Sequence, residues 1–133
     1  MTGNLTFSFD RPVSAAQFRS LAEQTGWARG RAESDIVLSL QNSYAVLGVW
    51  DEERLIGVVR VISDGKYRAL IDDVIVDGAY RSRGIGAQMM RQILDRCADI
   101  EELKLGCGPE LTGFYAQFGF KPVDQMARAG SRS

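Results

Sequence analysis

One stretch of the sequence decides how the chain is interpreted: Val76-Asp77-Gly78-Ala79-Tyr80-Arg81-Ser82-Arg83-Gly84-Ile85-Gly86. It begins where an apolar run ends and continues through a glycine-containing loop into a long predicted helix. Unpaired amides at a helix N-terminus, with the positive end of the helix dipole, bind phosphate groups. Glycines let ligand oxygens approach the backbone closely, and Arg81 and Arg83 add positive charge. The stretch predicts a phosphate-binding loop, and the alternative is a glycine-rich turn with solvated arginines.

Two other phosphate-binding motifs fit this loop poorly. A dinucleotide fingerprint needs Gly-x-Gly-x-x-Gly, but the position three after Gly86 is Met89. A P-loop needs Gly-Lys-Ser or Gly-Lys-Thr, and neither triplet occurs in the sequence. Both motifs also follow a parallel strand early in a βαβ unit. Here the loop follows what reads as an antiparallel meander.

The hydrophobic pattern on either side of the loop predicts an α+β fold. Polar turns join three consecutive β-rich runs, which indicates an antiparallel meander, while the strand-helix-strand unit after it should be parallel. We expect a mixed, mostly antiparallel sheet flanked by about four helices. The predicted elements are strand 5–9, helices from Ser14 and from about Ser34, strands 44–50, 55–62 and 69–76, helix 84–97, strand 102–107, a helix from Pro109 to Gly119, and a last short strand 120–123.

Length and composition are those of an ordinary globular protein. The 133 residues fit one domain, since domains typically run to ~100–150 residues. We expect residues 1–124 to form it and 125–133 to be a loose tail. With 16 basic and 17 acidic residues, the near-neutral charge argues against nucleic acid as a partner. No apolar run is long enough for a membrane span, and no signal peptide is visible, so we expect a cytoplasmic protein.

The chain contains no histidine, which excludes several kinds of active site. Ser-His-Asp and Cys-His arrangements and histidine-liganded metals are impossible within the chain, and we expect no metal. Proton transfer must fall to a carboxylate, tyrosine, thiol, amine or water. Cys97 and Cys107 form no Cys-x-x-Cys pair and lie in apolar-patterned stretches. We therefore expect both to be buried, reduced thiols.

Two motifs in the right order resemble the Gcn5-related N-acetyltransferase (GNAT) superfamily. Arg81-x-x-Gly84-x-Gly86 is similar to its acetyl-CoA loop, Gln/Arg-x-x-Gly-x-Gly/Ala. About thirty residues later, Phe114-Tyr115-Ala116-Gln117-Phe118-Gly119-Phe120 is similar to its Phe-Tyr-x-x-x-Gly-Phe. The order of elements agrees over roughly residues 1–124. Less specifically, the segment from Ser63 to Val76 is most similar to plastid-type arylalkylamine (serotonin-like) acetyltransferases.

The resemblance implies where acetyl-CoA binds. The pyrophosphate should lie on the amides of the loop, and the pantetheine arm should run along a strand edge like an added strand. That strand should splay from the next one, 102–107, and an amide of Ile75 or Val76 should stabilise the oxyanion. The implied acetyl-CoA-binding residues are Val74, Ile75, Val76, Arg81, Ser82, Arg83, Gly84, Ile85 and Gly86.

The resemblance also assigns the proton transfers. Tyr115 matches the general acid that protonates the departing thiolate, the alternative being a core tyrosine. Asp72 and Asp73 are the candidates for the base, or both are structural and water takes the proton. Successive strand residues point to opposite faces, so only one should face the thioester. Asp72 lies two positions before Val74, so the two share a face of a regular strand. Asp72 also matches the acidic position in similar polyamine acetyltransferases, and it is therefore the favoured candidate for the base.

The expected activity is direct acetyl transfer from acetyl-CoA to a primary amine in a ternary complex. The acceptor would be a small amine or a lysine side chain, and the two aspartates favour a cationic one. Trp27 lies where the family shapes its acceptor pocket, unless it serves only packing. The alternative function is a non-catalytic acyl-CoA-binding module on the same fold.

Two departures from the family have structural consequences. Gly108 stands where many members have an asparagine, so we expect one pantetheine hydrogen bond to be missing. The sequence after Phe120 is too short and polar to supply the usual final strand fully. We therefore expect that wall to be open or to be completed by a partner subunit, as in a homodimer.

Overall fold

The computed structural model describes residues 4–130. Within that range the chain forms strands β1 to β5, helices α1 to α4 and two short 3-10 turns, Gly78–Tyr80 and Pro109–Leu111. The order of elements agrees with the prediction up to α4. The bounds are β1 Leu5–Ser8, α1 Ala15–Ala22, α2 Glu33–Gln41, β2 Ala45–Asp51, β3 Arg54–Ser63, β4 Arg68–Val76, α3 Ile85–Arg96, β5 Glu102–Lys104 and α4 Thr112–Ala116.

The strands form a sheet in sequence order, β1-β2-β3-β4-β5. Short turns join β2, β3 and β4, which pair antiparallel, and β1 pairs antiparallel with β2 after the connection through α1 and α2. Strands β4 and β5 pair parallel across the crossover through α3. The predicted α+β class and mixed, mostly antiparallel sheet are confirmed.

Apolar clusters cover both faces of the sheet. On one face, the sheet packs on α3 through residues that include Leu47, Val59, Met89 and Ile93. On the other, it packs on α1 and α2 through residues that include Phe18, Leu21, Ile36, Trp50 and Val58. Burial on both sides explains why β3 reads as an almost continuous apolar run rather than an alternating one.

Strands β4 and β5 pair only at their beginnings. The register joins Arg68, Ala69 and Leu70 to Glu102, Leu103 and Lys104, after which β5 ends while β4 continues to Val76. The edge of β4 from Ile71 to Val76 therefore runs on beyond its pairing with β5. The predicted splayed strand pair is present, but β5 is shorter than the predicted 102–107, since its later residues have left β4.

A bulge interrupts β4 at the aspartate pair. Val58 pairs with Ile75, but Arg60 pairs with Asp72, so β4 carries one extra residue between these positions. Asp73 adopts a left-handed backbone conformation there, with φ 53°. The extra residue shifts the alternation: Ile71 and Val74, three positions apart, both pack in the cluster on the α3 face.

The predicted last strand, 120–123, does not form. Residues 120–130 are without helix or strand, and from Lys121 onward they are exposed. Pro122 has no N–H to donate to a ladder, which disfavours strand pairing at this position. Residues 125–130 of the predicted tail are exposed; its remaining residues, like the first three of the predicted domain, lie outside the described range.

Candidate active site

The predicted phosphate loop leads directly into α3. Gly84 is the N-cap residue and has φ 76°, a conformation that glycine adopts without the steric cost of a Cβ atom. Gln88 makes the first helical hydrogen bond, to the Gly84 carbonyl at 3.1 Å. The amides from Gly84 to Ala87 therefore have no acceptor within the helix. Ile85 is buried and anchors the turn, while Arg81, Ser82 and Arg83 are exposed around it.

Asp77 fixes the beginning of the loop. Its carboxylate accepts from the Ala79 amide at 2.9 Å and from Arg54 at 2.9 Å, and Gln24 donates to it at 3.3 Å. Burial alone would raise the pKa of the Asp77 carboxyl, but these donors together hold it below its ordinary value. An ionised Asp77 thus ties the loop to β3 and to the end of α1.

Tyr115 lies in the same apolar cluster as Val74 and Val76, the residues predicted to line the pantetheine arm. Its ring packs edge-on against Phe114, with centroids 5.0 Å apart. Phe114 also reaches α3, since a Cβ added to Gly86 would lie 3.5 Å from its ring. The two sequence motifs are thus neighbours in space, and they share an apolar cluster with residues of β4.

Burial raises the pKa of the Tyr115 phenol above its ordinary value, and the neighbouring Cys107 acts in the same direction. The phenol therefore keeps its proton at neutral pH and can donate it. The prediction that both cysteines are buried is wrong for Cys107, which is exposed, and holds for Cys97. Cys107 follows β5 in a stretch that no other strand pairs with, and this accounts for its exposure.

The two aspartates of the bulge share a network with two arginines. Arg31 donates to both oxygens of Asp73, at 2.9 and 3.2 Å, and Arg60 donates to Asp73 from Nε at 2.9 Å. Arg60 also donates to Asp72 at 3.2 Å, and the Asp73 amide donates to Asp72 at 3.0 Å. We call Arg31, Arg60, Asp72 and Asp73 the bulge cluster.

The prediction that strand alternation places Asp72 and Asp73 on opposite faces of the sheet is wrong. It assumed regular alternation, but the bulge places both carboxylates within reach of Arg60. What distinguishes them is exposure: the Asp73 side chain is 0% exposed and that of Asp72 is 40% exposed. The arginines also balance the carboxylates in formal charge, so these aspartates do not by themselves favour a cationic acceptor.

Arg31 belongs to the loop between α1 and α2, residues 23–32, which we call the interhelical loop. The loop is anchored by buried Ala28, whose amide donates to the Thr25 hydroxyl at 2.8 Å. Trp27 is 58% exposed, so it is not a core residue. Neither Arg31 nor Arg60 was predicted as a site residue. Arg60 carried a usable signal, because an arginine within an apolar strand requires an anionic partner.

A groove of about 700 Å³ lies along the outer edge of β5. Its walls come from the residues around β5 and from the segment 118–125, with Tyr115 among them. No residue of β4 in the described part of the chain lines it. The groove is therefore separate from the gap between β4 and β5. Residues 120–123, the predicted last strand, line it without pairing to β5.

Two kinds of feature are absent from residues 4–130. No group of three or more histidine, cysteine, aspartate or glutamate side chains in this range could hold a metal ion. No helix in the same range has the length and apolar character needed to cross a membrane.

Comparison with known proteins agrees with this arrangement. The chain is 30% identical over 132 residues to histone acetyltransferase TAP1 of Glycine max, covering 88% of this chain and 56% of the relative. It is 27% identical over 141 residues to GCN5-related N-acetyltransferase 2, chloroplastic, of Arabidopsis thaliana, covering 88% and 54%. The chain thus spans about half the length of these curated relatives.

The fold is also found in solved structures. An acetyltransferase of the GNAT family from Streptococcus pneumoniae superposes with a TM-score of 0.82 at 21% identity, over 96% of this chain and 99% of that one. The family model described as "Acetyltransferase (GNAT) domain" matches residues 18–131, a range that includes the phosphate loop, the splayed strands and Tyr115. On this evidence the chain belongs to the GNAT acetyltransferase family.

Proposed function

We propose that the protein transfers an acetyl group from acetyl-CoA to a primary amine by direct attack in a ternary complex. The observation that carries the proposal is the contact between the two motifs: Phe114 lies against Gly86 of the phosphate loop, and Tyr115 belongs to the apolar cluster against which Val74 and Val76 of the β4 edge pack. A thioester held along this edge would be next to the buried phenol.

Different residues would bind the different parts of acetyl-CoA. Pyrophosphate would lie on the free amides at the start of α3, with Arg81, Ser82 and Arg83 around it. The pantetheine arm would hydrogen-bond the edge of β4 along Val74, Ile75 and Val76. An amide of Ile75 or Val76 would stabilise the oxyanion. The left-handed Gly84 and the divergence of β4 from β5 support this assignment.

Side chains of the protein can supply both proton transfers that the reaction needs. The amine nitrogen attacks the thioester carbon, a C–N bond forms, and the C–S bond breaks. A base takes one proton from the amine, and Tyr115 gives its proton to the departing sulfur. The products are an acetamide and CoA with a free thiol. Proton exchange with solvent then returns the base and the phenol to their starting states.

Asp72 is the better candidate for the base. Asp73 is enclosed and its oxygens already accept three hydrogen bonds from two arginines. Asp72 is partly exposed, contacts one arginine and lies on the same strand as the splayed edge.

The acceptor is proposed as a small-molecule amine or a lysine side chain. One relative is named a histone acetyltransferase, which supports a protein lysine. The arylalkylamine subgroup stays a prediction. Exposed Trp27 on the interhelical loop offers an aromatic surface for the acceptor, while the balanced charge of the bulge cluster argues against selection for a polycation.

The experiment that tests the proposal is a thiol-release assay with acetyl-CoA over a panel of amines and a lysine peptide, on wild type and Asp72→Asn. We expect turnover of at least one acceptor, reduced ~100-fold in the variant, with the Kd for acetyl-CoA unchanged. A binding module would take up acetyl-CoA and acetylate nothing. Asp95→Asn, on α3, is the matched control and should retain activity.

We further propose that a second copy of the chain covers the groove beside β5. That edge strand is only three residues long, and unpaired strand edges are usually covered or blocked. Apolar Leu105, Phe118 and Val123 line the groove. The second copy would supply the strand pairing that residues 120–123 do not provide.

A further inference from the structure

Asp73 has a combination of features that the proposed reaction does not use. Its side chain is fully buried, and its backbone is left-handed at φ 53°. Residues other than glycine adopt this conformation uncommonly, and surrounding contacts hold them in it. Here those contacts are the two arginines.

The arginines come from different elements. Arg31 belongs to the interhelical loop and binds Asp73 through both terminal nitrogens, a geometry that fixes direction as well as distance. Arg60 belongs to β3 and bridges Asp73 to Asp72. One buried carboxylate thus joins the loop, the neighbouring strand and the bulge.

The ion pairs of Asp73 constrain both the interhelical loop and the strands beside the bulge. On the loop side, Arg31 lies four residues after exposed Trp27 and two after exposed Arg29, so fixing Arg31 fixes this exposed surface relative to β4. On the strand side, Arg60 and the Asp73 amide both contact the carboxylate of Asp72. Removing one partner from a buried ion pair is strongly unfavourable, so the arrangement resists local opening.

We propose that Asp73 and Arg31 are positioning residues that hold the interhelical loop against the β4 bulge and so build the acceptor side of the site. Asp73 then acts through Arg31 and Arg60 rather than by accepting a proton. The inference rests on the proposed function for its kinetic consequence. Its structural consequence, a loop fixed by Arg31, can be measured without any acceptor.

The test uses Arg31→Met, which keeps an unbranched apolar stem and removes the guanidinium charge, and Arg31→Lys, which restores the charge without the two-pronged geometry. The Arg31 side chain is 33% exposed, and Asp73 keeps Arg60 as a partner, so both variants should fold. We expect Arg31→Met to raise the acceptor KM ~10-fold, with a smaller effect on kcat and an unchanged Kd for acetyl-CoA. Arg31→Lys should give partial rescue.

The structural readout is trypsin cleavage after Arg29, followed by mass spectrometry. A released loop should be cut several-fold faster in Arg31→Met than in wild type. Arg68→Met is the matched control, because it removes an exposed arginine that pairs with Glu101 and Glu102 at the other end of β4. Should Arg31→Met fail to fold, Asp73→Asn replaces it, since asparagine tolerates the left-handed backbone and loses the charge.

Wild-type cleavage and wild-type acceptor KM in these variants would overturn the proposal. If no protein, wild type included, acetylates any acceptor while acetyl-CoA binds, the proposed function fails, and the trypsin comparison alone decides on the bulge cluster. Faster cleavage would then still support a loop held by Arg31, and unchanged cleavage would refute it.

Discussion

Tyr115 combines a phenol that burial keeps protonated with a place in the apolar cluster against which Val74 and Val76 of β4 pack. Because its pKa is raised, the acid form is fully present at neutral pH and is lost only above about pH 10. We therefore expect Tyr115→Phe to lower turnover ~100-fold and to remove the alkaline fall of the pH–rate profile. Acetyl-CoA affinity should stay the same.

The control for this substitution is Tyr67→Phe, which removes the hydroxyl of an exposed tyrosine. It should leave both the rate and the pH profile as in wild type. A Tyr115→Phe protein that turns over at the wild-type rate would show that the phenol is a packing residue and that the thiolate leaves without it.

Asp72 and Asp73 show why the role of a single residue could be predicted only in part. Their presence on a strand next to the apolar run was readable from the sequence. Their relative orientation was not, since it depends on a register between strands: Val58 opposite Ile75 but Arg60 opposite Asp72. No local pattern in β4 signals that extra residue.

At the scale of elements, the junction between the phosphate loop and α3 depends on Gly84. An alanine there would have to adopt φ near 76°, at a cost of ~1–2 kcal/mol, although its Cβ would meet no atom within 4 Å. We expect Gly84→Ala to weaken acetyl-CoA binding ~10-fold, because the loop escapes the strain by leaving its conformation. Calorimetric titration would measure the change in Kd.

Gly113→Ala is the control for Gly84→Ala. It distinguishes the effect of backbone strain from the effect of replacing any glycine by alanine. Gly113 lies in α4, and an added Cβ would likewise meet nothing within 4 Å. Without a positive φ to oppose it, alanine should favour the helix by up to about 1 kcal/mol and leave the Kd unaffected. Equal affinities in wild type and Gly84→Ala would contradict the placement of the pyrophosphate.

The helices and strands differ in how well a sequence pattern predicts them. Helix α3 has a regular apolar period, and β2 to β4 are apolar-rich runs separated by polar turns, so all four elements form where the sequence predicts them. Strand 120–123 failed because a strand also requires a neighbour, and Pro122 cannot contribute a donor. The early end of β5 has a similar origin: the splay that makes room at β4 also removes the pairing partner of residues 105–107.

For the whole molecule, the groove beside β5 leaves apolar surface and a strand edge facing outward. Stable interfaces bury on the order of 800 Å² per partner, which needs apolar residues beyond a short edge strand. The exposed Val123, at 59%, lies on the groove wall and is suited to such a contact. A second copy would bury it together with the edge of β5.

We therefore expect light scattering after size exclusion to give a dimer mass for the wild type and a monomer mass for Val123→Asp, because a buried unpaired carboxylate is costly. Val37→Asp provides the comparison: it puts the same charge on an exposed valine of α2, on the opposite face of the sheet, and should leave the dimer intact. Acetyl-CoA should bind both variants as it binds wild type, since the β4 edge and the phosphate loop lie away from Val123. A wild-type monomer at the highest soluble concentration would show that the groove remains open, with the acceptor site bounded by one chain alone.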